Sequence, residues 1–137
     1  MATLSNAINA AASALDVQRA RLEVAISNLA NAESTHTDEN GTPYRRREVV
    51  VASGSADGKS EFGAHVSAIV EDQSPFQRRF EPNNPDADET GFVSMPNIDV
   101  PEEMVDMLGA ARAYQANLAA ITVIRETVQK ALELGRS

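Results

Sequence analysis

The feature that most constrains this chain is a heptad pattern at each of its ends. At the N-terminal end, alternating spacings of four and three residues connect Leu4, Ile8, Ala11, Leu15, Gln18, Leu22, Ala25, Leu29 and Ala32. At the C-terminal end, the same spacings connect Met104, Met107, Ala111, Tyr114, Leu118, Ile121, Arg125, Val128 and Leu132. Because this period is typical of helices that pair along a narrow apolar seam, we predict two long helices that pair as a coiled coil.

The expected ends of these helices follow from local signals. We predict the first helix over residues 3–32 and the second over residues 100–134. Asp99 can cap the second helix, and Pro101, Glu102 and Glu103 place a fixed φ angle and negative charge at its positive end. Gly135 is suited to end it.

The segment between the helices is rich in β-formers, glycine and proline, and it predicts a small, partly irregular β insert. We expect strands at 44–52 and 62–70, joined by a flexible loop at 53–60, and a short strand could form near 76–80. The basic run at 45–47 is expected to be a solvated strand edge. The fold class is therefore mainly α with a hairpin-like β insert, divided into an N-terminal helix at 1–35, an outer segment at 36–98 and a C-terminal helix at 99–137.

Charged side chains are absent from residues 1–15 and from residues 113–124. A two-stranded coiled coil leaves its outer faces to charged residues, whereas these helices carry small and amide side chains there. We therefore expect a many-chain assembly, the alternative being that the two ends pair only within one monomer. The predicted assembly interface comprises Leu4, Ile8, Leu15, Leu22, Asn28, Leu29, Asn31, Met104, Met107, Tyr114, Gln115, Asn117, Leu118, Ile121, Val128 and Leu132. Within it, Asn28 and Asn31 can hydrogen-bond across chains or meet the last carbonyls of the first helix.

Several other functions lack support in the sequence. A net charge of −8 disfavours a nucleic-acid surface, and the absence of cysteine excludes disulfides and thiolate metal sites. The N-terminus lacks the basic region of a cleaved secretory signal, and no apolar stretch reaches the length of a membrane span. We expect no catalytic residue, no cofactor and no small-molecule substrate.

Two groups of side chains have only part of the pattern of a metal site. Asn84, Asp86 and Asp88 have the first spacing of a calcium loop, but Glu89 and Met95 stand where such a loop needs glycine and a bidentate glutamate. The histidines, His36 and His65, lack a second ligand at metal spacing. No metal site is therefore expected.

Three stretches resemble the flagellar rod and hook proteins, and in particular their proximal-rod subunits. They read NLANAEST at 28–35, SPFQRRFEPNNPDADETG at 74–91 and GFVSMPNIDVPEEMVDMLGAARAYQANLAAI at 91–121. One departure is Phe92, where tyrosine is commoner, and it removes one hydroxyl. The resemblance covers nearly the whole chain and is weakest over residues 36–70.

The resemblance implies a structural subunit of the proximal rod of the flagellar basal body, which transmits torque. Such subunits are exported by the flagellar type III apparatus without a cleaved signal and polymerise in the periplasm through their terminal helices. The implied partners are other rod subunits, copies of the chain itself, the adaptor at the export gate and the export apparatus. Heptads and acidity alone would also suit a soluble coiled-coil adaptor or a chaperone of a type III secretion system.

Overall fold

The computed structural model describes residues 2–137, with only the backbone of Ala2. Along the chain, a long helix comes first and last, with four short strands between them: α1 (Ala2–Ala30), β1 (Arg47–Ser53), β2 (Ala64–Glu71), β3 (Gln77–Phe80), β4 (Phe92–Met95) and α2 (Val100–Arg136). Both predicted helices are confirmed to within two residues at each end. Within residues 2–137, neither helix has the length and apolar character required to cross a membrane.

The ends of α2 agree only in part with the local signals. The Asp99 side chain accepts a hydrogen bond from the amide of Glu102, which confirms the predicted cap. Gly135 does not end the helix, because α2 continues through Arg136. Gly135 also lacks the positive φ angle of a glycine that closes a helix.

Helix α1 contacts α2, β1 and β2, so it lies between the second helix and the hairpin. The two helices run antiparallel. Arg47 bonds to Asn28 in the last turns of α1, while the neighbouring Arg46 contacts Glu103 in the first turn of α2. The helices therefore pack against each other, and the finer coiled-coil geometry of their pairing remains a prediction.

The covered side of α2 differs from the predicted seam at four of its nine positions. Five predicted residues are at least half-buried, namely Met107, Ala111, Tyr114, Ile121 and Val128. The other covered residues each lie one residue before a predicted seam position, at Glu103, Ala110, Asn117 and Ile124. Met104, Leu118, Arg125 and Leu132 are exposed instead. Two seams one residue apart satisfy the same spacing. The predicted seam includes the charged Arg125, and the covered one includes Glu103, which is paired with Arg46.

The first sheet is an antiparallel hairpin of β1 and β2 with a bulge between Val50 and Val51. Strand β1 begins three residues later than predicted because the amides of Tyr44 and Arg46 bond to Ser34 and to the side chain of Asn97. Strand β2 begins at Ala64, two residues later than predicted. At the hairpin's base these tertiary hydrogen bonds replace the strand ladder. At its loop end, where β2 begins, the Ala64 amide bonds to the Ser13 hydroxyl of α1.

The second sheet pairs β3 with β4 in antiparallel register. The short strand near 76–80 is confirmed, but its partner β4 was not predicted. The rings of Phe80 and Phe92 meet edge to face at 5.2 Å between centroids, and the Arg78 guanidinium lies 4.7 Å from the Phe92 ring centroid. Gly91 has a φ angle of +84°, and a Cβ atom there would lie 2.8 Å from Phe80, so a larger residue would disturb the sheet.

The loop before β4 is organised by Asp88. Its carboxylate accepts hydrogen bonds from the Thr90 hydroxyl and from the amides of Thr90 and Phe92, and it pairs with Arg78. These bonds, that of the Thr90 side chain first, lower the pKa of Asp88 to about 2. Within residues 2–137, no cluster of three or more acidic, histidine or cysteine side chains is suited to hold a metal ion.

The low pKa of Asp88 predicts how the loop responds to acid. Because the unfolded pKa of aspartate is about 3.9, the stabilisation from this carboxylate is complete above about pH 4 and is lost as the pH falls through about 2. A carboxyl NMR titration should therefore give Asp88 a midpoint near pH 2. The Thr90→Val variant should move that midpoint upward, and an unchanged midpoint would contradict this account.

Candidate functional site

Arg46 joins the base of the hairpin to the first turn of α2. Its guanidinium contacts the carboxylates of Glu103 and Glu48 and lies 3.6 Å from Asp72 and 3.4 Å from Asp106. Burial alone would lower the pKa of Arg46, but the hydrogen bonds to Glu103 and Glu48 outweigh that effect and raise it. Glu103 is only 1% exposed. The prediction of a solvated strand edge is therefore wrong at Arg46.

Arg45 and Asn97 hold the chain between β2 and β3. The Arg45 guanidinium donates to the carbonyls of Asp72 and Ser74 at 2.9 Å each, and its Cζ atom lies 4.2 Å from the Phe76 ring centroid. The side-chain amide of Asn97 donates to the same two carbonyls, and its oxygen accepts from the amide of Arg46. This bonding ties both sheets to the same junction.

Asn28 attaches the hairpin to α1. Its side chain donates to the Arg47 carbonyl and accepts from the Arg47 amide, both at 3.0 Å, and it also accepts from the Tyr44 hydroxyl. With 1% of its surface exposed, Asn28 is fully used inside this chain. Asn28 therefore does not form a hydrogen bond across chains, which was one of the two predicted alternatives. Asn31 instead bonds to one of the last carbonyls of α1, the second predicted alternative, because its side-chain amide donates to the Ser27 carbonyl at 2.8 Å.

The two helices and β1 enclose an open groove of about 550 Å³. Its lining includes Val24 and Ala25 on α1 and Gly109 and Ala110 on α2, with Arg21 among the charged residues around them. The groove is mixed in charge. All buried polar side-chain atoms in the described part of the chain have a hydrogen-bond partner within the chain.

Apart from Asn28 and Asn31, the predicted interface residues divide into three groups. The leucine and isoleucine positions of α1 are half-buried, at Leu4, Ile8, Leu15, Leu22 and Leu29. A second group is half-buried on α2, at Met107, Tyr114, Asn117, Ile121 and Val128. Four residues remain exposed on α2, namely Met104, Gln115, Leu118 and Leu132. The first two groups thus lie on partly covered sides of the helices, and the third group is free for contacts outside the chain.

Exposed apolar side chains that the seam analysis missed extend this free surface. They are Ile26, Val105, Leu108, Val123 and Leu134, exposed by 49%, 68%, 55%, 60% and 77%. Apolar residues on more than one face of α2 were the available signal, because a helix at the surface of a monomer normally has a single apolar stripe. Contiguous exposed apolar surface is typical of sites that interact with other molecules.

Comparisons with known proteins identify sequence relatives of this chain. Residues 89–134 match the family described as flagellar basal body rod FlgEFG protein C-terminal. The flagellar basal-body rod protein FlgC of Salmonella typhimurium strain LT2 is 44% identical over 97% of this chain and 98% of its own length. The FlgC proteins of Bacillus subtilis strain 168 and Aquifex aeolicus are 38% and 40% identical, covering 98% and 97% of this chain and 99% and 98% of their own.

Proposed function

Because the chain belongs to the FlgC family of flagellar basal-body rod proteins, we propose that it polymerises through its two terminal helices into the proximal part of the rod. It is a structural subunit of the flagellar rod and not an enzyme. The observation that supports the terminal helices as the polymerising surface is the exposed apolar side of α2, around the uncharged residues 113–124. A soluble adaptor or secretion chaperone is not favoured, since the relatives are rod proteins.

The finer parts of this proposal concern route and partners. We propose that the type III apparatus exports the chain without signal cleavage and that the rod assembles in the periplasm. Its partners are then other rod subunits, copies of itself and the adaptor at the export gate. In this arrangement, residues 1–35 and 99–137 form the assembling helices, and residues 36–98 lie outward. The proposed interface retains all the residues predicted from sequence except Asn28, which is occupied within the chain.

The test is complementation of a strain that lacks the native subunit. We expect this chain to restore swimming and to be present in purified basal bodies. Restored swimming with the chain found only as a small closed oligomer in the cytoplasm would overturn the proposal in favour of the adaptor. The other rod subunits are measured in the same basal-body preparation as a control, because their presence shows that rods formed.

A deletion in the hairpin loop should have little effect on this function. Residues 55–59 form a turn closed by bonds among Ser55, Asp57 and Ser60, and the amide of Gly54 bonds to the Gly63 carbonyl below it. Since closing a shorter loop changes the free energy of unfolding only slightly, removing Ser55–Lys59 should leave swimming largely intact. Loss of swimming with normal export would show that this loop makes an essential contact.

A further inference from the structure

The chain contains two places where an asparagine or aspartate precedes a glycine, Asn40–Gly41 and Asp57–Gly58, and their side chains are bonded differently. We propose that Asn40–Gly41 is a self-modification site, where the Asn40 side chain loses ammonia and becomes aspartate or isoaspartate. A turn held by Asp38 sets the rate of this step. The inference goes beyond the proposed function and does not depend on it.

The reaction needs only the two neighbouring residues and water. The backbone nitrogen of Gly41 attacks the Cγ atom of Asn40, and the new C–N bond closes a succinimide ring. The attacking nitrogen gives up its proton, and the side-chain nitrogen leaves as ammonia. Water then breaks one of the two ring C–N bonds. Breaking the bond to Cγ gives aspartate, whereas breaking the bond to the main-chain carbonyl carbon gives isoaspartate.

Asn40 is exposed, so its side chain is accessible for this step. In the described part of the chain, its side-chain amide forms no hydrogen bond, and its backbone amide bonds to the Asp38 carboxylate at 3.0 Å. Gly41 has a φ angle of +72° and no side chain to hinder the approach of its nitrogen. Because the two reacting groups are adjacent in one chain, the attack is intramolecular and loses no entropy of association.

The turn over residues 38–41, here called the Asp38 turn, restrains the attacking nitrogen. The Gly41 amide donates to the Asp38 carbonyl at 3.1 Å, and the Asp38 carboxylate accepts from the amides of Asn40 and Thr42 at 3.0 and 2.9 Å. The Gly41 nitrogen must leave its hydrogen bond before it can attack. Hydrogen bonds of an exposed turn contribute little net free energy, so we expect this turn to open locally. Its opening therefore sets the rate.

Asp57 lacks the features that make Asn40 reactive. Its carboxylate accepts hydrogen bonds from the Ser55 hydroxyl at 2.5 Å and from the Lys59 amide at 3.1 Å. These bonds, that of the Ser55 hydroxyl first, lower the pKa of Asp57, so the side chain stays ionised at neutral pH. An ionised carboxylate is a poor electrophile and has no ammonia to release. Asp57 is therefore expected to persist unchanged.

The modification changes a loop that contacts the loop before β4. The Nε2 atom of His36 lies 3.1 Å from the position that a Cβ atom of residue 41 would take, and its Nδ1 atom lies 3.2 Å from the Asp86 carboxylate. Either product adds a negative charge to the Asp38 turn. Isoaspartate also adds a methylene group to the main chain, which changes the spacing of the turn. We expect the isoaspartate form to weaken the contact between His36 and Asp86.

The test follows the purified full-length chain in mildly alkaline buffer over time. Peptide mapping by mass spectrometry, with fragmentation that distinguishes isoaspartate from aspartate, gives the fraction converted at each asparagine. We expect Asn40 to convert faster than every other asparagine and Asp57 to remain aspartate. Asn40→Gln should stay unmodified at that position, because its longer side chain closes a less favourable ring. Conversion of Asn40 only after unfolding in urea, or faster conversion elsewhere in the folded chain, would overturn the site.

Two matched variants test the role of the Asp38 turn. Asp38→Ala removes the acceptor of two backbone amides, so the conversion of Asn40 should become about five times faster. Glu39→Ala removes the same charge one position away, where the side chain forms no hydrogen bond to any described residue, and should leave the rate unchanged. Equal rates in the two variants would show that the turn does not control the reaction. None of these results bears on the rod function, which complementation tests separately.

Discussion

Replacing Arg46 with methionine is expected to lower the free energy of unfolding by about 3 to 5 kcal/mol at neutral pH. Glu103 is 1% exposed, and its carboxylate would lose the guanidinium that compensates its charge. Removing one partner of a buried ion pair is costly because the remaining charge stays out of water. Urea unfolding of the isolated chain, followed by far-ultraviolet circular dichroism, measures the loss.

Two further variants show whether the ion pair itself is responsible. Arg47→Met removes a neighbouring, exposed arginine whose guanidinium lies 5.6 Å from the Tyr44 ring centroid, so the loss should stay within about 1 kcal/mol. The Arg46→Met/Glu103→Met double variant should recover most of the stability, since it leaves no buried charge. A loss below about 1 kcal/mol for Arg46→Met would mean that the junction does not depend on this pair.

Replacing Leu118 with aspartate is expected to abolish swimming without preventing folding. Leu118 is 48% exposed in the chain, so an aspartate there should change the stability of the isolated subunit by about 0.5 kcal/mol or less. In the proposed rod this position is covered by neighbouring helices, where an unpaired charge costs several kcal/mol in each subunit. The measurements are swimming, the amount of exported subunit and its amount in basal bodies.

The control for Leu118→Asp should carry the same new charge at a site away from the helices. Ala56 is exposed in the hairpin loop, and Ala56→Asp is expected to swim normally. Ser55 is less suitable, because its hydroxyl bonds to Asp57 and to the amide of Ser60. Normal swimming by the Leu118→Asp strain would refute assembly through this face of α2.

Local patterns along the chain determined its helices and part of its β structure. The bounds of α1 and α2 follow from a period that each helix satisfies by itself, and the Asp99 cap depends on a residue three positions away. Strand β3 was predicted at its observed place, and the resemblance to rod and hook proteins was confirmed by relatives that match nearly the whole chain. In each case the information lies within a few turns of helix or in a continuous motif.

The tertiary structure alone decided which side of α2 is covered and how the hairpin is attached. Heptad spacing permits two seams one residue apart, and the choice depends on Arg46, which lies 57 residues before its partner Glu103. Asn28 likewise bonds to Arg47, 19 residues away, and Asn97 to the chain between β2 and β3. A buried charge or amide is stable only where its partner is present, and no local pattern indicates which distant residue that partner is. The exposed apolar surface of α2 follows from that choice, because covering the side with Glu103 leaves Met104 and Leu118 uncovered.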